Sequence, residues 1–136
     1  MATIKPFQAI RPRKDLAAKI AALPYDVYSR EEAREVVKKN PYSFLKIDRA
    51  ETQLDKNTDI YSEEVYRCAA DTLNEMLRKG EFQQEEKPCF YIYELTMAGR
   101  VQTGLGACVS VREYENRTIK KHENTRQEKE DDRTRH

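Results

Sequence analysis

The residues with the richest chemistry occupy the last seventeen positions, where no side chain is apolar. Both histidines of the chain lie in this stretch, among lysines, arginines and carboxylates. His122, Arg126, Lys129, Arg133 and His136 recur at steps of four, three, four and three residues. On a helix this spacing places most of them on one face. Cationic donors grouped in this way suit an anion such as a phosphate.

A helix is predicted to begin inside this stretch, because Thr125 with Glu128 three residues later has the pattern of a capping box. The first N–H groups of a helix bind anions. A helix without an apolar face cannot pack into a core by itself, so the segment is either a solvated tail or one wall of a site. The predicted phosphate-binding residues are Lys121, His122, Thr125, Arg126, Lys129 and Arg133.

Two carboxylates are candidates for a catalytic role, Glu123 in the charged stretch and Asp26 in Pro24-Tyr25-Asp26. Phosphoryl transfer needs cations on the transferred group and a carboxylate that orients the nucleophile or holds Mg²⁺. Simpler roles stay open. Asp26 could bond the backbone of its own turn, and the charged stretch could contain only weak salt bridges along a helix.

A third motif, Asn40-Pro41-Tyr42-Ser43, could line a pocket or could simply end a helix before a strand. The common signatures of nucleotide loops, metalloproteases and serine hydrolases are absent from the sequence. Three separated cysteines without a C-x-x-C pair indicate reduced thiols in a cytoplasmic protein, and we predict no metal site made of protein ligands alone.

The charge balance argues against direct binding to nucleic acid. Lysine and arginine total 25 against 24 acidic residues, a formal net charge of +1, whereas nucleic-acid binders usually show a clear basic excess. The apolar runs are too short to span a membrane. We therefore expect a cytoplasmic protein that contacts neither membrane nor DNA.

The elements upstream of the charged stretch predict one α+β domain over residues 1–119, with a mixed or antiparallel sheet and helices packed on one face. Ser29 with Glu32 forms a capping box, Gly80 follows a long amphipathic pattern, and Gly99 lies in a hairpin turn. The predicted helices are Asp15–Leu23, Arg30–Lys39 and Ile60–Arg78, and the predicted strands are Ile4–Ile10, Ser43–Asp48, Cys89–Leu95 and Val101–Val111.

The predicted core follows from the apolar positions of these elements. Residues 120–136 form a separate charged helical segment that we expect to join a C-terminal part beyond this chain, or to take part in self-association. The predicted core residues are Phe44, Leu45, Ile47, Val65, Leu73, Leu77, Phe90, Ile92, Leu105 and Val109.

Several separated motifs, in this order, resemble the prokaryotic family catalogued as domain of unknown function 1015, often labelled ParB-like. The resemblance covers nearly the whole chain. It is carried by Ile4-Lys5-Pro6-Phe7, Ala9-Ile10-Arg11-Pro12, Ala22-Leu23-Pro24-Tyr25-Asp26-Val27, Asn40-Pro41-Tyr42-Ser43-Phe44-Leu45 and Lys121-His122-Glu123-x-Thr125-Arg126-x-x-Lys129-Glu130-x-Asp132-Arg133-x-x-His136.

The resemblance implies a longer protein, since family members continue into an Asp-Gly-His-His-Arg motif that is absent here. That motif is similar to one in ParB-like kinases of free serine. The resemblance therefore implies a ParB-like fold and a phosphotransferase that uses ATP or ADP with Mg²⁺ on a small hydroxylated metabolite such as free serine, with this chain alone inactive. Two alternatives stay open: a ParB-like regulatory module that binds nucleotide or DNA without catalysis, and an interaction domain.

Overall fold

The computed structural model describes residues 2–120 together with Arg126, Gln127 and Glu130. It combines helices with small antiparallel sheets, which confirms the α+β class. The chain divides into two compact units, one containing residues 2–10 and 84–120 and the other containing residues 11–83. The expected separation of residues 120–136 from the rest stays a prediction.

The unit of residues 11–83 is mainly helical. Its core contains Leu16, Ile20, Met76 and Phe82, with Tyr42, Phe44, Ile47 and Leu77 packed against them. The long helix α4 carries the apolar stripe that the sequence predicts, so its inward positions are buried and its outward positions are charged. The helices are α1 (Ala17–Ile20), α2 (Arg30–Lys39), α3 (Leu45–Asp48) and α4 (Glu63–Arg78), with 3₁₀ turns at Tyr25–Val27 and Ala50–Gln53.

Two local signals in the sequence are confirmed by the backbone. The Ser29 Oγ accepts from the Glu32 N–H at 3.3 Å, and the Glu32 carboxylate accepts from the Ser29 N–H at 2.9 Å. This capping box starts α2 at Arg30, as predicted. Gly80 has a φ of +69° just beyond the end of α4, a conformation that glycine adopts without steric cost.

The predicted strand over Ser43–Asp48 is wrong, because Leu45–Asp48 is the helix α3. A segment this short can form either a strand or about one turn of helix, and here tertiary contacts select the helix. The Phe44 N–H donates to the Ile20 carbonyl at 2.9 Å, and Leu45 is fully buried. Helix α1 is also shorter than the predicted Asp15–Leu23.

The unit of residues 2–10 and 84–120 is built on short strands. Strand β1 (Ile4–Lys5) pairs antiparallel with β6 (Cys108–Val109), and Phe7 bridges Cys89. The predicted hairpin is confirmed: β4 (Tyr91–Met97) and β5 (Arg100–Gly106) pair in register through the turn Ala98-Gly99. Helix α5 covers Val111–Glu115. The remaining strands, β2 (Ile10–Pro12) and β3 (Phe82–Gln84), pair with each other and lie mostly within residues 11–83.

Part of the predicted core is wrong. Phe90, Ile92, Leu105 and Val109 are all exposed, with Ile92 at 73%. The alternating pattern correctly indicated strands, but each sheet described here has only two strands, and no layer covers the hairpin faces in the described part of the chain. The other six predicted core residues are buried or half-buried.

No helix within the described residues is both long enough and apolar enough to cross a membrane.

Candidate functional site

Asp26 lies at the centre of the 3₁₀ turn Tyr25–Val27, which begins directly after Pro24. The ring of Pro24 holds the chain extended (φ −50°, ψ 146°) and turns it into the short helix. The Asp26 side chain is exposed. Among the contacts between described residues, its carboxylate has no hydrogen bond or ion pair, so the alternative in which it bonds its own turn is not seen.

Arg49 holds the backbone on both sides of Asp26. Its Nη1 donates to the Tyr25 carbonyl and to the Tyr28 carbonyl, each at 3.0 Å. Its Nε donates to Oε1 of Glu51 at 2.6 Å. The Arg49 side chain is 15% exposed and that of Glu51 only 4%. The turn that presents Asp26 is therefore fixed by a buried ion pair.

A second arginine, Arg34 of α2, fixes the segment that follows Glu51. Its two terminal nitrogens donate to the carbonyls of Glu51, Thr52, Leu54 and Asp55 at 2.7 to 3.2 Å. Sequence reasoning missed both Arg34 and Arg49. Their acceptors lie about twenty residues away along the chain, and no local spacing marks an arginine that will bind distant carbonyls.

A cleft of about 320 Å³ lies beside the Asp26 turn in the unit of residues 11–83. This volume is at the lower end of the range for small-molecule pockets. Leu23 and Tyr28, which flank the Asp26 turn in sequence, both contribute to its wall, as do Asn40 and Ser43 from the third motif. The third motif thus lines the cleft directly, whereas Pro24, Tyr25 and Asp26 adjoin it through their sequence neighbours and do not line it. The lining residues are Ala21, Ala22, Leu23, Tyr28, Val36, Asn40 and Ser43.

The polar groups of the third motif differ in their availability. The Asn40 amide is engaged at both ends, since its Nδ2 donates to the Lys19 carbonyl at 2.6 Å and its Oδ1 accepts from the Tyr42 N–H at 3.2 Å. Asn40 therefore ends α2 as a structural residue. Ser43 is buried, and its Oγ accepts from the Leu45 N–H at 3.4 Å, which leaves the hydroxyl proton for another partner.

Most of the predicted phosphate site lies outside the described residues. This applies to Lys121, His122, Thr125, Lys129 and Arg133, and also to the catalytic candidate Glu123; these assignments stay predictions. Arg126 is described and is exposed.

A magnesium ion at Asp26 would need ligands beyond a cluster of protein side chains. Across residues 2–120 and the three described terminal residues, no three or more His, Cys, Asp or Glu side chains form a group that could hold a metal. One carboxylate fits Mg²⁺ only where water and phosphate oxygens supply the other ligands, which is the usual arrangement in nucleotide sites.

Comparison with known proteins gives one match. A family model described as "Protein of unknown function (DUF1015)" matches residues 4–136. No curated protein and no solved structure matches the chain.

Proposed function

Because the chain belongs to the DUF1015 family of proteins of unknown function, we propose that it takes part in nucleotide-dependent phosphoryl transfer to a small hydroxylated metabolite. The support from the family is the Asp-Gly-His-His-Arg motif of its longer members, which is similar to a motif of free-serine kinases. Free serine is the leading candidate. The observation that carries the proposal is an exposed Asp26 carboxylate, unpaired among the described residues, on a turn that Arg49 fixes beside a cleft.

The cleft suits a small substrate. Its lining combines the aliphatic side chains of Ala21, Ala22, Leu23 and Val36 with two hydroxyl-bearing residues, Tyr28 and Ser43. A pocket with a mostly apolar lining and a few polar groups orients a ligand through those groups. A compact amino acid or hydroxy acid fits this volume better than a nucleotide base with its sugar.

Asp26 acts in this proposal as the proton acceptor. The carboxylate takes the proton from the substrate hydroxyl while that oxygen forms its bond to the transferred phosphorus, and the bond from phosphorus to the leaving phosphate oxygen breaks. ATP or ADP supplies the phosphoryl group, with Mg²⁺ offsetting the phosphate charge. Glu123 is the alternative acceptor. Lys121, His122, Thr125, Arg126, Lys129 and Arg133 would hold the phosphates through charge-assisted hydrogen bonds.

The activity is tested on the full-length protein, because this chain alone is expected to be inactive. Its reaction with Mg²⁺, ATP or ADP, and L-serine is followed by ³¹P NMR, with L-alanine as the matched substrate that lacks the hydroxyl. We expect a phosphoserine signal with serine and no amino-acid phosphorylation with alanine. Failure of both nucleotides to phosphorylate serine or another hydroxy amino acid would contradict the proposal.

Nucleotide binding is tested separately by thermal unfolding with ATP, ADP or duplex DNA. We expect both nucleotides to raise the midpoint and DNA to leave it unchanged. Arg126→Ala should reduce the nucleotide effect, since a hydrogen bond to a charged group is worth roughly 1.5–3 kcal/mol. Stabilisation by DNA alone would favour the regulatory module over the kinase.

A further inference from the structure

The hairpin β4–β5 is a two-stranded sheet whose side chains face solvent on both faces. Every residue from Ile92 to Leu105 is exposed, including six large apolar ones. In the described part of the chain neither edge of this hairpin pairs with a further strand. An isolated two-stranded hairpin is at best marginally stable in water, and an open edge is a template for another strand. The exposed apolar residues are Ile92, Tyr93, Leu95, Met97, Val101 and Leu105.

The turn geometry determines which backbone groups face outward. Ala98 and Gly99 both have positive φ, +49° and +75°, as in a type I′ turn. In such a hairpin the flanking residues Met97 and Arg100 exchange hydrogen bonds, and the pairs then alternate along the ladder. By this alternation Val101, Thr103 and Leu105 direct their N–H and C=O groups away from β4. The edge of β5 therefore offers donors and acceptors at three positions.

The two edges of the hairpin differ in charge. The outward positions of β4 are Ile92, Glu94 and Thr96, by the same alternation and the observed register. If two β4 edges met with the two-fold axis at Glu94, the position that pairs with Thr103, their carboxylates would lie directly opposite each other, which is unfavourable. The outward positions of β5 are uncharged, and its central residue is Thr103.

We propose that the β5 edge pairs antiparallel with the β5 edge of a second copy of this chain, with the two-fold axis at Thr103. This register places Val101 opposite the partner's Leu105 and allows about six hydrogen bonds between the strands. Val101 and Leu105, 56% and 57% exposed here, lie on the same hairpin face as Ile92. Pairing makes one four-stranded sheet with a continuous apolar stripe, and a sheet of three or more strands with an apolar face can be independently stable.

The oligomeric state tests the proposal. Sedimentation velocity from about 5 to 500 µM protein should show a reversible monomer–dimer equilibrium. Thr103→Pro removes an outward N–H and leaves the β4–β5 ladder intact, since proline is tolerated on an edge strand. Losing the two central hydrogen bonds should raise the dimer dissociation constant by roughly 30-fold or more.

Thr96→Pro is the matched control, because Thr96 occupies the equivalent outward position on β4 and the change costs the hairpin about as much. It should leave the dimer intact. Thr103→Lys is a second variant that strengthens the hairpin through its cross-strand neighbour Glu94. It places two ammonium groups together at the axis, so dimerisation should weaken several-fold.

Three outcomes would overturn the proposal. These are a chain that stays monomeric throughout the concentration range, a dimer that Thr103→Pro and Thr103→Lys leave unchanged, and a dimer that only Thr96→Pro dissociates. The last result would assign the interface to the β4 edge.

Discussion

Arg49 and Glu51 form a buried ion pair, with 2.6 Å between Nε and Oε1, and the same guanidinium holds the turn that carries Asp26. Arg13 and Asp15 have the same separation in sequence and the same 2.6 Å distance, but their side chains are 43% and 63% exposed. The Arg13 hydrogen bond holds the pKa of Asp15 below its ordinary value. The two pairs thus differ in burial, and Arg49 in addition holds two backbone carbonyls.

Replacing Arg49 should be far more damaging than replacing Arg13. Arg49→Ala leaves the Glu51 carboxylate buried without a partner and frees two carbonyls, so we expect a loss of about 3–5 kcal/mol in the free energy of unfolding. Arg13→Ala removes a solvent-exposed pair and should change stability little. Urea denaturation of both variants measures the difference. Equal destabilisation would show that burial of the Arg49 pair does not matter.

The capping box of α2 should make stability depend on pH in the acid range. The Ser29 backbone N–H donates to Glu32 and lowers its pKa below the ordinary value of 4.5. A carboxyl whose pKa is lower in the folded than in the unfolded state stabilises the fold. This stabilisation is fully present at a pH above the unfolded-state pKa and is lost as the pH falls through the folded-state pKa. Wild type should therefore exceed Glu32→Gln in stability at neutral pH, and the gap should close in acid.

Glu31→Gln is the control for that experiment, since Glu31 lies in the same helical turn but makes no capping hydrogen bond among the described contacts. Chemical denaturation at a series of pH values gives the gap for each variant. A gap for Glu32→Gln that stays constant from neutral to acid pH would contradict the prediction.

Two glycines of β5 should respond differently to substitution. A Cβ at Gly106 would lie 3.3 Å from the Tyr91 Cβ, whereas one at Gly104 would meet only the Tyr93 carbonyl at 3.8 Å. Tyr91 cannot shift easily, because its ring packs against Phe7 with 4.9 Å between centroids.

The Tyr91 hydroxyl adds two hydrogen bonds, donating to the Phe7 carbonyl at 3.0 Å and accepting from the Ala9 N–H at 2.9 Å. Gly106→Ala should therefore destabilise the unit of residues 2–10 and 84–120 by about 1–3 kcal/mol, the usual cost of overpacking. Gly104→Ala should be tolerated. The rates of amide hydrogen exchange in β4 measure the effect of both substitutions. Rates in Gly106→Ala equal to those of the wild type would show that Tyr91 can move.

Asp26→Asn should lower the phosphoryl-transfer activity without changing the stability of the fold. The carboxylate is exposed and has no partner among the described residues, so the free energy of unfolding should change by less than about 0.5 kcal/mol. Loss of the proton acceptor should lower serine phosphorylation by roughly 100-fold or more. Asp71→Asn, at an exposed position of α4, serves as control. A variant that loses stability instead would assign Asp26 a structural role.

Elements that depend on neighbours in sequence could be predicted without the structure. The capping box Ser29–Glu32, the glycine after α4 and the turn at Gly99 each act over about four residues, and all three are confirmed. Their hydrogen bonds and backbone dihedrals are local, so the identity of a few residues decides them. The α+β class follows from these elements.

Features that depend on distant partners were decided by the tertiary structure. The segment Leu45–Asp48 is a helix because Phe44 bonds Ile20 and Leu45 fills the core. Arg49 fixes the Asp26 turn because carbonyls more than twenty residues earlier in the sequence lie within hydrogen-bond distance of its guanidinium. The same folding leaves Asp26 without a partner among the described residues, on a turn beside a cleft, and leaves Ile92 exposed on a two-stranded sheet. A sequence pattern shows which side chains alternate, but burial and pairing exist only once distant segments meet.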